Sequence, residues 1–168
     1  KEGNPLPDRS IYHLSAHWKS DYGKNIQLDK LRGEPRLLTM FFTSCEYACP
    51  ILVHDLQKID AALKTSGVTN GSFVLISFDS ARDTVERLHA YRELRKLDDR
   101  WTLLRGEPDD IQELAAVLGL KYKQDARGQF AHSNVILLLD PEGQVVHQQI
   151  GLNQDPAAIA EKFRTLLK

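Results

Sequence analysis

The sequence predicts an α/β fold in which a central mixed sheet is flanked by helices. Apolar runs of strand length alternate along the chain with segments whose apolar residues recur at helical spacing. Because strands that alternate with helices pair mostly in parallel, helices are expected on both faces of the sheet. Near the end of the chain a short turn joins two further strands, and this hairpin is expected to add an antiparallel edge.

Length and composition limit the classes of protein to consider. The chain has 168 residues, enough for one domain with a sizeable core, and its 42% hydrophobic and 27% charged residues are typical of a soluble globular domain. A net charge of −1 argues against a generic nucleic-acid surface or a polybasic membrane surface. No apolar run approaches the roughly 18 residues of a transmembrane helix. Because the chain starts at Lys1, we expect that an upstream signal or anchor has been removed.

The N-terminal residues predict an arm followed by a hairpin. The polar, proline-containing stretch "KEGNPLPDRS" indicates a flexible arm over residues 1–11, and residues 12–168 are expected to form a single domain. The segment "SIYHLSAHW" alternates weakly and predicts an edge strand. The following "SDYGKNIQL" predicts a hairpin around Gly23.

The next segments predict alternating buried strands and helices. "RLLTMFF" (36–42), "SFVLISF" (72–78) and "WTLLRG" are continuous apolar runs suited to strands that are buried on both faces. The first helix follows Pro50, and the second opens at Asp83 and Thr84. The expected inward positions are Leu52, Leu56, Ile59 and Leu63 in the first helix and Val85, Leu88, Tyr91 and Leu94 in the second.

The last third of the sequence predicts two helices and two hairpins. A helix starts at Pro108 and ends at Gly119, and "YKQDARGQFA" predicts a hairpin or excursion turning at 126–128. "SNVILLLD" and "QVVHQQIG" form strands around the turn "PEG", and a final helix covers about 155–167. Inward positions are expected at Ile111, Leu114, Ala115 and Leu118, then at Ile159, Phe163, Leu166 and Leu167. A β-α-β unit, a link and a β-β-α unit make a thioredoxin-like fold, here with an N-terminal hairpin and an extra helix–strand insertion.

Two cysteines stand where the first buried strand meets the first helix, in "TSCEYACP". Pro50 belongs in the first helical turn, so Cys49 lies at the helix entrance and Cys45 in the loop before it. The helix dipole favours thiolates there, and both sulfurs are expected to be reactive. A structural disulfide would close a very short loop and add only about 2 kcal/mol. The pair suits thiol–disulfide exchange and Cu(I) binding equally well.

Two thiolates leave a trigonal copper site one donor short, and a histidine is the natural third ligand. The candidates are His13, His17, His54, His89, His132 and His147. Of these, His132 directly precedes the strand "SNVILLLD", and in a thioredoxin-like fold the loop before that strand meets the first helix entrance. The others are expected in the extended arm, along helix sides or on an exposed strand.

Three stretches together resemble the Sco/SenC family over roughly residues 12–167: "FFTSCEYACPILVHDL", "VLISFDSARDT" and "FAHSNVILLLDPEGQVVHQQIG". The resemblance implies an extracytoplasmic, thioredoxin-like protein that binds Cu(I) or Cu(II) through Cys45, Cys49 and His132. It implies a role in assembling the binuclear copper centre of cytochrome c oxidase. The implied partners are a copper-receiving protein, such as an oxidase subunit, and another copper chaperone. The implied location is periplasmic, or anchored to the inner membrane facing the periplasm.

The sequence departs from the family pattern near each part of the site. Glu46 and Tyr47 stand where the family often has Pro-Asp, Ala131 where it often has Asp, and Asp79-Ser80 where it often has Asp-Pro. For Glu46, a carboxylate near the site and a simple preference for the helix N-terminus are both open. For Asp79, a contact near the site and a loop cap are both open. These changes leave the three expected ligands intact.

Other functions use the same residues. A thiol–disulfide oxidoreductase would use Cys45 and Cys49 as catalytic residues on a copper-receiving partner, and only that activity would make the protein an enzyme. A peroxidase of the peroxiredoxin type is less well supported, because Thr43 is too near Cys45 and no arginine is clearly placed to activate a peroxide. A binding module with an incidental cysteine pair also remains open.

Overall fold

The computed structural model describes residues 5–45 and 48–167. Glu46 and Tyr47 therefore lie outside the described residues, as do residues 1–4 of the predicted arm. The elements, in chain order, are β1 (His17–Ser20), β2 (Asn25–Gln27), β3 (Arg36–Phe41), α1 (Ala48–Thr65), β4 (Phe73–Ser77), α2 (Val85–Arg95), β5 (Trp101–Arg105), α3 (Pro108–Leu118), β6 (Tyr122–Gln124), β7 (Phe130–His132), β8 (Val135–Leu139), β9 (Val145–Ile150) and α4 (Ala157–Thr165). Short 3-10 helices cover Ile11–His13 and Leu28–Leu31.

A seven-stranded mixed sheet forms the centre of the fold, with the strand order β2-β1-β5-β4-β3-β8-β9. The neighbours β3, β4 and β5 are parallel, whereas the pairs that join β1, β2, β8 and β9 to the sheet are antiparallel. Strands β6 and β7 form a separate two-stranded sheet. The predicted mixed sheet and the three predicted hairpins are confirmed.

Helices cover both faces of this sheet, as the apolar runs predict. The buried residues of α1, α2 and α4 pack on one face, and those of α3 and the two 3-10 helices pack on the other. Alternate residues of one strand enter different layers, as Leu37 and Leu38 of β3 do. Within the described residues, none of the helices is both long and apolar enough to cross a membrane.

The predicted strand "SIYHLSAHW" is wrong over its first half. The Ser10 hydroxyl accepts the Tyr12 N–H at 3.0 Å and caps a 3-10 turn over Ile11–His13. The strand starts only at His17, and β1 lies between β2 and β5 rather than at the sheet edge. This local hydrogen bond between the Ser10 hydroxyl and the backbone favours a turn, where the alternation of apolar and polar residues alone predicted a strand.

The end of the predicted arm is bonded to the rest of the protein. The Ser10 hydroxyl donates to the Glu142 carbonyl, and the Ile11 N–H donates to the Gly143 carbonyl at 3.0 Å. Gly143 has a φ of +84°, and a Cβ atom there would lie 2.6 Å from the Tyr12 ring, so this turn requires glycine. The division into an arm over residues 1–11 and a domain over residues 12–168 stays a prediction.

Two of the expected inward positions are wrong. Leu94 is 72% exposed, because the inward stripe of α2 continues from Leu88 to Arg92, one helical turn on, and the Arg92 side chain is buried. Leu167 is exposed because α4 ends at Thr165, before the helical register could turn residue 167 inward.

Candidate metal centre

The two cysteines lie on either side of the start of α1. Cys49 is the second residue of the helix as described, with Pro50 in the same first turn, and only 1% of Cys49 is exposed. Cys45 precedes the helix and is partly exposed. The Cys49 N–H, which has no partner within the helix, donates to the Cys45 Sγ at 3.3 Å. No disulfide joins the two cysteines.

His132, at the end of β7, lies beside these sulfurs. Its Nε2 atom is 3.4 Å from the Cys49 Sγ, although 83 residues separate the two in sequence. One donor atom each from Cys45, Cys49 and His132 lies within 4.8 Å of the other two. The structure thus brings together the three residues that the sequence singled out.

The His132 ring is oriented by its surroundings. Its Nδ1 atom lies 2.9 Å from the Ser133 carbonyl oxygen, so Nδ1 carries the proton and donates it. Nε2 then keeps its lone pair on the side that faces the sulfurs. The rings of Phe78 and Phe42 pack against the imidazole at centroid distances of 5.2 and 6.0 Å and limit its rotation.

The expectation that both sulfurs are reactive thiolates is wrong for Cys49. Interaction with the Cys45 side chain and burial together raise the pKa of the Cys49 thiol far above its ordinary value. The dipole of a helix end is worth only about 0.3–1 kcal/mol, which is less than the cost of burying a thiolate. The metal-free site therefore keeps a proton on Cys49, which a metal ion must displace.

The loop that carries Cys45 is held by a buried carboxylate. Asp83, which is 0% exposed, accepts hydrogen bonds from the Thr43 N–H at 3.1 Å, the Ser77 hydroxyl at 2.6 Å and the Thr43 hydroxyl. Arg87 donates to the hydroxyls of Thr43 at 3.0 Å and Ser44 at 2.8 Å. The sequence indicated Asp83 only as the start of a helix, and no local signal pairs it with Thr43.

A second buried carboxylate holds the hairpin that carries His132. Asp79 accepts the Arg82 Nε–H at 2.5 Å and the Arg82 backbone N–H at 3.2 Å. The Arg82 guanidinium also donates to the Gly128 carbonyl in the β6–β7 turn. Asp79 is thus a loop cap whose arginine partner reaches the hairpin, a role of Arg82 that the sequence did not indicate.

The remaining histidines lie outside the cluster. The His13 Nε2 atom contacts the Pro7 carbonyl at 2.7 Å, and burial lowers the pKa of His147. His89, expected along the side of a helix, lies partly exposed on α2, and its Nδ1 atom contacts the Asp21 carboxylate at 3.1 Å. His17 and His54 are exposed. Among residues 5–45 and 48–167, the cluster of possible metal ligands contains His132 and no other histidine.

A surface depression gives access to the cluster. It has a volume of about 390 Å³, and Cys45 and His132 line it together with Phe42, Ala48, Arg127, Gln129, Phe130, Ala131 and Asn134. Cys49 does not line the depression and is buried. A molecule that approaches from outside therefore meets Cys45 and His132 before Cys49.

Comparison with known proteins agrees with this fold. The SCO1/SenC family model matches residues 14–168. A SCO1 protein homolog from Bacillus subtilis (strain 168) is 27% identical over 159 residues, which cover 92% of this chain and 82% of the homolog. The crystal structure of Arabidopsis thaliana ScoI with copper bound gives a TM-score of 0.79 at 26% identity, covering 92% of this chain and 98% of that one.

A SCO1/SenC family lipoprotein from Bacillus anthracis str. Ames gives a TM-score of 0.83. Its sequence identity is 23%, with 92% of this chain and 97% of that chain covered, so this likeness concerns the fold. The thioredoxin-like fold expected from the order of strands and helices is confirmed.

Proposed function

The chain belongs to the SCO1/SenC family, and we propose that it binds one copper ion as cargo and passes the ion to a partner protein. The ligands in this proposal are the Sγ atoms of Cys45 and Cys49 and the Nε2 atom of His132. The observation that carries the proposal is the mutual approach of these three donor atoms within 4.8 Å. The related Arabidopsis thaliana ScoI with copper bound supports the choice of metal.

The chemistry of the donors fits copper. Metal–sulfur and metal–nitrogen bonds of about 2.0–2.3 Å would place trigonal donors about 4 Å apart, so only a small movement is needed. Two thiolates and an imidazole are soft to intermediate ligands that suit Cu(I). The orientation of His132 supplies a lone pair, whereas Cys49 must lose a proton, so copper binding releases protons.

We further propose where the protein is located and which protein receives the copper. Family membership supports an extracytoplasmic location and transfer to the copper centre of a cytochrome c oxidase subunit, with another copper chaperone as the source of copper.

Anaerobic titration of the reduced protein with Cu(I), against a competing chelator, tests the ligand set. We expect one copper ion per chain, and at least ~10-fold weaker binding after His132→Ala. The matched control is His54→Ala, which removes an exposed histidine of α1 and should leave the affinity unchanged. In the Cu(II) form, intense sulfur-to-copper charge-transfer bands should require all three ligands. Unchanged affinity and spectrum in His132→Ala would show that the three-ligand arrangement is wrong.

Thiol–disulfide exchange is the second candidate, and the unequal exposure of the two cysteines favours it. Cys45 is accessible and would attack a partner disulfide, releasing one partner thiol, and Cys49 would then displace the second. The Cys49→Ser variant should trap the mixed disulfide on Cys45. In contrast to copper binding, exchange should survive His132→Ala. Failure of the reduced protein to react with a disulfide-bonded peptide would exclude this candidate.

A further inference from the structure

The surface around the candidate metal centre is basic. The depression over Cys45 and His132 contains Arg127, and a second depression of about 400 Å³, which His132 also lines, contains Lys121 and Lys123. A third depression, of about 210 Å³ beside Thr43, contains Arg87. Apart from His132, the charged side chains of the described residues that line these depressions are therefore all cations.

This charge is largely unneutralised on the hairpin. Lys121 and Lys123 are exposed, and no ion pair of the described residues includes either of them. The Arg127 side chain is 87% exposed, and its contact with Asp125 is 4.0 Å long. Since the whole chain carries a net charge of −1, the basic character belongs to this face rather than to the protein. Such a local field attracts anionic groups and raises their association rates.

Apolar side chains line the same depression as Arg127. Phe42 and Phe130 pack edge to face at 5.1 Å, and both line the depression over Cys45 together with Ala48. An apolar floor with a charged rim is the arrangement found in protein recognition sites, where the rim sets association rate and specificity.

From these observations, and resting on the proposed function, we propose that the surface formed by Lys121, Lys123 and Arg127 docks an acidic segment of the copper-exchanging partner. The segment is an extended peptide in which Asp and Glu residues flank the metal-binding side chains. Its metal-binding part would enter the depression over Cys45, and its acidic flanks would lie over Arg127 on one side and over the two lysines on the other. The basic rim acts on association and leaves the copper affinity of the three ligands unchanged.

Peptide binding to the metal-free protein tests docking without copper. Two fluorescent peptides share one core, in which serines replace the metal-binding residues, and differ only in acidic or basic flanks. We expect the acidic peptide to bind at least ~10-fold more tightly at low ionic strength, with the preference declining as salt increases. The variant Lys121→Gln/Lys123→Gln/Arg127→Gln should abolish the preference. The control variant Lys24→Gln/Lys30→Gln/Lys162→Gln, which removes three exposed cations from other elements, should retain it.

Equal binding of the two peptides would overturn the proposal, as would a preference that survives in the hairpin variant. Anionic phosphatidylglycerol vesicles form a separate arm. Binding of vesicles through the same three residues, without any peptide preference, would assign the surface to lipid and overturn the protein partner. Because the peptides bind no metal, absence of copper binding in the titration would defeat the proposed function while the docking result stands by itself.

Discussion

Replacement of Asp83 by asparagine should destabilise the protein by about 3 kcal/mol. The carboxylate accepts three hydrogen bonds, from the Thr43 N–H, the Thr43 hydroxyl and the Ser77 hydroxyl, and both Asp83 and Ser77 are 0% exposed. A hydrogen bond to a charged group contributes about 1.5–3 kcal/mol and a neutral one about 0.5–1.5 kcal/mol. Asp83→Asn keeps two of the bonds in neutral form and turns one acceptor into a donor, and about 1 kcal/mol for each bond gives the expected total.

Urea denaturation of the reduced, metal-free protein at neutral pH measures this loss. The matched control is Asp55→Asn, since Asp55 is also buried but accepts only the Asn153 N–H, at 2.9 Å, with Lys58 Nζ 3.5 Å away. We expect the control to lose about 1 kcal/mol, which corresponds to one bond. If Asp83→Asn loses no more than Asp55→Asn at an unchanged m-value, the hydrogen bonds of Asp83 do not hold the Cys45 loop.

Three further predictions concern the hairpin, the thiols and the N-terminus. Arg82→Gln removes the link to the β6–β7 turn and should weaken copper binding through His132 about 10-fold, as measured by chelator competition. Disulfide exchange should be unchanged. Equal copper affinity would mean that this link does not position the His132 ring. The pKa of Cys49 is raised in the folded state, so its contribution to stability is complete below the thiol's unfolded value of about 8.5 and declines above it, by up to about 1.4 kcal/mol per pH unit. Urea midpoints between pH 7.5 and ~9.5 should therefore fall more steeply than in Cys49→Ala, and parallel profiles would contradict this assignment. A chain without residues 1–11 should be about 2 kcal/mol less stable in urea than one without its first seven residues, because Ile11 is 2% exposed; equal stability would support the predicted domain boundary.

The sheet and helices were predictable because the relevant signals are local. Continuous apolar runs identify β3, β4 and β8 whatever lies beside them, and the start of α3 at Pro108 and its end at Gly119 follow from backbone preferences of those two residues. The error at Leu94 has a different origin. Arg92 takes the inward position because it is bonded to Asp21, which lies 71 residues away in sequence. The periodicity of apolar residues along α2 gives no information about such a distant partner.

In the candidate site, too, some residues follow from local signals and others depend on distant partners. The two cysteines follow from spacing and from Pro50, and His132 follows from the place of its loop in a thioredoxin-like fold. The groups that hold these residues could not be predicted, because Thr43 and Asp83 are 40 residues apart. The raised pKa of Cys49 depends on its contact with the Cys45 side chain and on burial, and the local sequence reports neither.

The separate two-stranded sheet divides the donors between two independently variable parts of the protein. Cys45 and Cys49 belong to the junction of the main sheet with α1, whereas His132 ends a hairpin that shares no ladder with the seven strands. Changes of length or sequence in this hairpin leave the register of the main sheet intact. The nitrogen donor and the charge around it can thus be altered by substitution without disturbing the strand pairing that carries the sulfur donors, which makes the hairpin the part to exchange when the metal or partner preference is to be redesigned.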